Sequence, residues 1–108
     1  RERRLMSINL FTPAWNGTVS VAATSSGSLR ATLTTGAGNV VRIKNVSATN
    51  IAFVALGTAA ITATTTGGLP IGLGETVGVT RNPNTDVAIA AITAADVATV
   101  YATVGEGE

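Results

Sequence analysis

The sequence predicts an all-β protein whose antiparallel strands form a sandwich or a barrel. Short runs rich in valine, isoleucine and threonine recur along the chain at a spacing of roughly 10–12 residues, and turn signals rich in glycine, proline and asparagine separate them. The chain has 108 residues, and a domain of this length buries about 65% of the surface that its unfolded chain exposes. One hydrophobic core is therefore sufficient, without a metal ion or a disulfide.

The predicted strands follow one another along the whole chain. Turn signals such as SSG, TGAG and RNPNT stand between them. About eight short strands are expected: Thr18–Thr24, Ser28–Thr34, Asn39–Val46, Asn50–Leu56, Ala60–Thr66, Glu75–Thr80, Asp86–Ile92 and Val97–Val104.

The third and fourth strands differ in the polarity of their two faces. In the third, Val41 and Ile43 share one face while Arg42 and Lys44 share the other, so one side of this strand is expected to face water. The fourth strand, Asn50–Leu56, is apolar on both faces. Such a strand is either central and covered on both sides, or it contacts another chain.

The segment 86–104 is rich in alanine, which is compatible with a helix. Many of its other residues are β-branched, and a helix restricts the side-chain rotation of such residues. We therefore predict strand, turn and strand here. In the second of these strands, Ala98, Val100, Ala102 and Val104 form an apolar face.

A long stretch without charge, Asn50–Gly72, is predicted to contain two strands joined by GTA and followed by a glycine-rich connection. Gly67 and Gly68 permit positive φ angles there, and Pro70 is expected to interrupt any strand ladder. Proteins usually guard exposed sheet edges with charged residues. A neutral surface rich in threonine and alanine therefore indicates packing against another protein.

The N-terminal segment, residues 1–17, is predicted to be an extended arm that precedes a sandwich domain of residues 18–108. Its first five residues, RERRL, hold three of the chain's seven basic residues and directly precede Met6. They are either a leader or added extension before the natural start, or a basic arm that contacts an acidic partner.

Two groups of residues are candidate contacts with a partner. Two aromatic residues of the arm either close one end of the sandwich or anchor it in a neighbour's groove. Four basic residues are either solvated or form salt bridges with an acidic partner. The candidates are Phe11, Trp15, Arg30, Arg42, Lys44 and Arg81.

The sequence offers little for catalysis or for cofactor binding. Histidine and cysteine are both absent, which removes the commonest general base, the commonest metal ligand and the thiolate nucleophile. Glu75, Asp86 and Asp96 lie at separate turns, and a serine or threonine nucleophile would need Lys44 as its base. We expect no enzyme activity, no catalytic residues, no cofactor, no metal and no small-molecule substrate.

Composition also argues against two classes of partner. Charged residues are 12% of the chain and the formal net charge is +1, which is little charge with which to neutralise a phosphate backbone. No apolar stretch reaches the roughly 18–20 residues that a spanning helix needs. We expect neither nucleic-acid binding nor membrane insertion.

The stretch VRIKNVSATNIAFVALG, Val41–Gly57, resembles a pattern found in small β proteins encoded among the head genes of tailed bacteriophages. LPIGLGETVGV and the closing ATVYATVGEGE are similar in character, so the resemblance covers residues 39–108. The chain thus resembles the capsid decoration, or cement, proteins. This resemblance implies a jelly-roll-like sandwich that sits as a dimer or trimer over junctions between capsid subunits, without catalytic residues.

The predicted function is therefore that of a structural virion protein, made in the host cytoplasm, which binds the outer capsid surface and cements the shell of major capsid protein. A homodimer is favoured, with a trimer as the alternative. Two other functions remain open: a phage tail or head-fibre component, and a carbohydrate-binding adhesin module. The latter would need Trp15 or Tyr101 as an aromatic platform for a sugar.

Overall fold

The structure is a computed structural model that describes residues 11–33 and 38–106. Throughout these stretches the protein is all-β, without a helix, and accordingly without a helix able to span a membrane. The strands are β1 (Thr12–Thr24), β2 (Leu29–Thr32), β3 (Val40–Asn45), β4 (Ala52–Gly57), β5 (Leu69–Ile71), β6 (Thr76–Thr80), β7 (Ala88–Thr93) and β8 (Val97–Glu106).

The strands form two four-stranded sheets in which every neighbouring pair is antiparallel. The front sheet has the order β1-β8-β3-β6 and the back sheet the order β2-β7-β4-β5. The inner faces of both sheets supply one core, which confirms the predicted all-β sandwich. Its fully or almost fully buried members are Val21, Ala23, Leu33, Val41, Ile43, Ala52, Val54, Ile71, Ile89, Ala91, Ala98, Val100, Ala102 and Val104.

Strands β3 and β8 follow the alternation predicted from the sequence. Val41 and Ile43 are buried while Arg42 and Lys44 are exposed. In β8 the four predicted apolar positions are buried, and the alanine-rich segment is two strands rather than a helix. Its turn contains Asp96 at φ 57°, a left-handed conformation that aspartate tolerates better than most residues. The period-two alternation of apolar residues therefore predicted these strands and their buried faces correctly.

Strand β1 begins at Thr12, six residues before the predicted start at Thr18. Thr12 and Pro13 pair with the end of β8, after which residues 14–17 stand opposite Val104 alone before regular pairing resumes at Thr18. The extra residues form a bulge. Proline is tolerated because β1 is an edge strand, whose outward N–H groups need no partner within the sheet. Residues 12–17 of the predicted arm therefore belong to the front sheet, and residues 1–10 lie outside the described part.

The predicted fifth strand, Ala60–Thr66, is wrong: this segment is a loop, and β5 comes after it at Leu69–Ile71. Pro70 is predicted to interrupt any strand ladder in the glycine-rich connection. However, β5 is an edge strand of the back sheet, where a missing N–H group is tolerated.

The loop between β4 and β5 covers part of the outer face of the back sheet. The Ser28 hydroxyl accepts a hydrogen bond from the Ala63 N–H at 2.9 Å, and the Ile61 carbonyl accepts one from Arg30 at 3.1 Å. Ala88 and Ala90 are buried although they occupy outward positions of β7. Much of the neutral stretch therefore serves the packing of the protein on itself.

Candidate interaction surface

The outer face of the front sheet brings together residues that are far apart in sequence. The register places Arg42 on one side of Thr103 and Thr18 on the other, and the two threonine hydroxyls share a hydrogen bond of 2.8 Å. In the next row, Tyr101 lies between Lys44 and Ser20. We call this surface, formed by Thr18, Ser20, Arg42, Lys44, Tyr101 and Thr103, the front face.

Phe11 adds an aromatic ring to the front face. The Arg42 guanidinium carbon lies 4.9 Å from the centre of the Phe11 ring, within the range of a cation–π attraction. This stacking holds a long side chain in one region of the surface, and thereby lowers the conformational entropy that a partner would have to remove. The predicted contacts Phe11 and Arg42 thus lie together. The side chain of Trp15 is outside the described part of the protein.

The front face is positively charged. None of its residues is acidic, and in the described parts of the chain no carboxylate pairs with Arg42 or Lys44. Lys44 Nζ donates one long hydrogen bond, 3.4 Å, to the carbonyl of Gly74. Tyr101 is 44% exposed. Two cations and an accessible aromatic ring therefore remain available to a partner.

Arg30, another predicted contact, belongs to a different surface. It lies in β2 at the outer side of the back sheet, where its side chain donates to the Ile61 carbonyl. The predicted basic patch is therefore divided between the two sheets, because sequence position does not indicate which sheet a strand joins.

Arg81, the last basic candidate, is only 3% exposed and is not part of an exposed patch. Its Nε donates to the Gly38 carbonyl at 2.9 Å, and one terminal nitrogen donates to the Asp86 carbonyl at 3.3 Å. Burial lowers the pKa of Arg81 from its ordinary value, and the nearby Asp86 carboxylate opposes this shift. The residue connects the loop before β3 to the loop before β7, so its role here is structural.

Replacing Arg81 with methionine is expected to lower the free energy of unfolding by about 2 kcal/mol, because buried carbonyl groups lose their donors. The matched change Arg30→Met, at an exposed arginine with one surface hydrogen bond, should cost less than about 1 kcal/mol. Urea unfolding of the two variants measures the difference. Equal losses would contradict the structural role of Arg81.

Three of the carboxylates in the described residues act as acceptors or turn residues within loops. A Glu75 side-chain oxygen accepts from the Gly72 N–H at 2.6 Å, and an Asp86 oxygen accepts from the Asn82 N–H at 2.9 Å. Asp96 occupies the turn before β8. No group of three or more potential metal ligands occurs in the residues that the structure describes.

Two concavities lie outside the front face. One, of about 360 Å³, runs along β2 and is bordered by Ala59 and Ala88. The other, about 140 Å³, opens between the two sheets beside β5 and β6 and is lined mainly by aliphatic residues such as Val54, Leu56 and Val79. Each contains one charged residue, Arg30 in the first and Asp86 in the second, so neither brings an acid and a base together.

The fold and the front face define a two-sheet β protein with a cationic, aromatic outer surface. Comparison of the chain with protein-family models, with curated proteins and with solved structures finds no match.

Proposed function

We propose that the protein is a non-enzymatic structural component of a bacteriophage virion, which binds the outside of the capsid and stabilises the shell of major capsid protein. The observation that carries this proposal is the front face. It combines arginine, tyrosine and a stacked phenylalanine, and arginine and aromatic residues are enriched where protein interfaces bind most strongly. Its charge suits an acidic patch on the capsid surface.

Jelly-roll connectivity is the finer description of the fold that we propose. Four of the antiparallel strand pairs are β1–β8, β2–β7, β3–β6 and β4–β5. These are the pairs that a single long hairpin of eight strands would contain, with its tip between β4 and β5. Wrapping such a hairpin around one axis gives the two sheets of a jelly roll, an architecture used in viral capsid proteins.

Stabilisation of the shell would follow from mass action. A protein that binds assembled subunits, and not separate ones, favours the assembled state by an amount that grows with its concentration relative to Kd. A single contact of standard size buries about 800 Å² per partner. Contacts with two neighbouring subunits from one oligomer add avidity without new chemistry.

The other two functions receive less support. A tail or head-fibre component could use the same fold and surface, and differs only in location and copy number. A sugar-binding module needs polar groups converging beside its aromatic platform. Tyr101 is exposed, but its neighbours in the register are Lys44 and Ser20, with no carboxylate or amide among the front-face residues.

The test is co-sedimentation of the purified protein with undecorated phage heads. Saturation at a fixed ratio to the major capsid protein is expected, and the ratio identifies the symmetry of the occupied sites. Shells that bind no protein would contradict the proposal. A protein that binds tails or a glycan array instead would support one of the alternatives.

The double variant Arg42→Ser, Lys44→Ser is expected to bind shells at least tenfold more weakly, because both exposed cations are lost, including the guanidinium that stacks on Phe11. Binding of the unchanged protein should also weaken with added salt, since exposed charges are screened beyond about 10 Å at 0.1 M. Arg30→Ser, on the back sheet, is the matched control and should bind normally. Equal binding by the unchanged protein, the double variant and Arg30→Ser would show that the front face is not part of the interface.

A further inference from the structure

Each sheet of a sandwich ends in two edge strands, and the four edges of this protein are not equally protected. Strand β5 has three residues, one of which is Pro70. Strand β2 has four residues and carries Arg30, and the β4–β5 loop lies against it through hydrogen bonds to Ser28 and Arg30. Prolines, charges, short length and covering loops all hinder pairing with another chain. These features protect both edges of the back sheet.

The front sheet ends in β6 and β1. Strand β6 has five residues and includes Gly78, which weakens a strand. Strand β1 has thirteen residues, and its regular part, Thr18–Thr24, carries neither charge nor proline and pairs with β8 without a shift. In the described part of the chain, no strand pairs with the other side of β1. Among the described strands, the segment Thr18–Thr24 is therefore the longest stretch of unprotected edge.

The side of the sandwich beneath β1 is also apolar. Val19 is half-buried although it packs against the core, and Leu29 of the neighbouring back-sheet edge is 44% exposed. Both side chains belong to the inward-facing sets of their strands, so their exposure results from the open side of the sandwich. A strand added beside β1 would cover them.

We infer that two copies of this chain pair through their β1 edges, with Thr18–Thr24 of one copy antiparallel to the same segment of the other. The segment is neutral, so it does not repel itself, and a two-fold axis lets each copy satisfy the free backbone groups of its partner. This contact is closed, because the same surface is used on both sides. Pairing β1 with β6 would instead leave a free edge at each end and produce open chains.

The inferred dimer has a functional consequence that rests on the proposed function. The two front sheets become one eight-stranded sheet, and both front faces lie on the same side of it. The two β3 strands are then separated by five strand spacings of about 4.8 Å, which is roughly 24 Å. One dimer would thus present two equal cationic patches to a repetitive surface.

Ala22 is the position at which to test this pairing, because it is exposed on β1 and lies near the centre of the paired segment. Sedimentation equilibrium of the full chain should show a dimer. Ala22→Lys and Ala22→Glu should each raise the dimer Kd by at least about fivefold, since like charges then lie close across the axis. An equimolar mixture of the two variants should form dimers again, which a merely misfolded variant could not do.

Thr76→Lys provides the matched control, because Thr76 is exposed on the same sheet at the opposite edge. It should leave the dimer unchanged. Because the chain has no cysteine, Ala22→Cys should be cross-linked between copies by a short bismaleimide, and Thr76→Cys should not. A monomer, a trimer, or a dimer whose Kd does not change when position 22 is charged would overturn the inference.

These measurements contain no phage shells, so they are independent of the proposed function. A monomeric protein that still binds shells would overturn the pairing alone. A β1-paired dimer that fails to bind shells would overturn the capsid function and leave the pairing in place.

Discussion

Replacing Gly38 with alanine should destabilise the protein by about 3 kcal/mol or more, a large loss for a domain of this size. Gly38 has a φ of 116°, a conformation that residues with a Cβ atom rarely adopt. An added Cβ would also overlap the backbone carbonyl of Gly105, which cannot move away without disturbing the end of β8. Urea unfolding at 25 °C, extrapolated to water, measures the change.

Two other glycines distinguish the cost of the positive φ angle from the cost of the overlap between an added Cβ and its neighbours. Gly74 has a φ of 69°, but nothing lies within 4 Å of an added Cβ, so Gly74→Ala should cost about 1 kcal/mol from backbone strain. Gly27 is free of both constraints, and Gly27→Ala should change stability by less than about 0.5 kcal/mol or raise it slightly. If Gly38→Ala cost no more than Gly74→Ala, the close approach to β8 would be unimportant.

Asn45→Leu should lower the free energy of unfolding by about 3 kcal/mol. Asn45 is fully buried at the end of β3. Its amide nitrogen donates to the carbonyls of Asn50 and Ile71 at 2.9 and 3.1 Å, and its oxygen accepts from the Ser47 N–H at 2.9 Å. Leucine has the same number and branching of side-chain heavy atoms but a larger volume, and it leaves these three backbone groups without their partner, at about 1–3 kcal/mol for each group that stays dry.

The exposed Asn84 is the control for this prediction. Asn84→Leu should change stability by less than about 0.5 kcal/mol, because surface substitutions away from special features have small effects. Thermal unfolding should order the proteins in the same way, with only Asn45→Leu lowering Tm by several degrees. A nearly neutral Asn45→Leu would mean that water replaces the amide, and that the link between the β3–β4 loop and β5 is dispensable.

Asn45 also illustrates what sequence patterns leave out. In the sequence, NVS looks like a glycosylation sequon or an ordinary strand end. The two carbonyls to which its amide donates lie 5 and 26 residues away, and no local pattern indicates that a carbonyl of β5 will need a donor. The same holds for Arg81, since basic residues are usually exposed and only the meeting of two loops around it makes burial possible.

The candidate surface was predictable in part. Alternation in β3 correctly placed Arg42 and Lys44 on an outer face, because neighbouring side chains of a strand point to opposite sides. The position of Tyr101 beside Lys44, and of Phe11 over Arg42, depends on the pairing of strands that are distant in sequence. The separation of Arg30 from this surface depends on the division of strands between two sheets.

The long neutral stretch shows where local rules are weakest. Threonine and alanine in residues 60–66 fit a strand by composition, and Pro70 argued against one at residues 69–71. The tertiary structure reversed both expectations, because residues 61 and 63 hydrogen-bond to Arg30 and Ser28 instead of joining a sheet, and an edge position tolerates proline.

The sequence by itself determined the all-β class and the inward face of the strands that alternate. It also determined seven of the eight strands, with every end within two residues of the observed one except the start of β1. These properties depend on neighbouring residues, through β-branching, period-two alternation and turn chemistry. Only the tertiary structure decided the strand order, the burial of Asn45 and Arg81, and the membership of the front face. Those properties depend on contacts between residues far apart in the chain. Each of these contacts contributes a small part of the free energy of folding, and the residues that make them show only a weak pattern in the sequence.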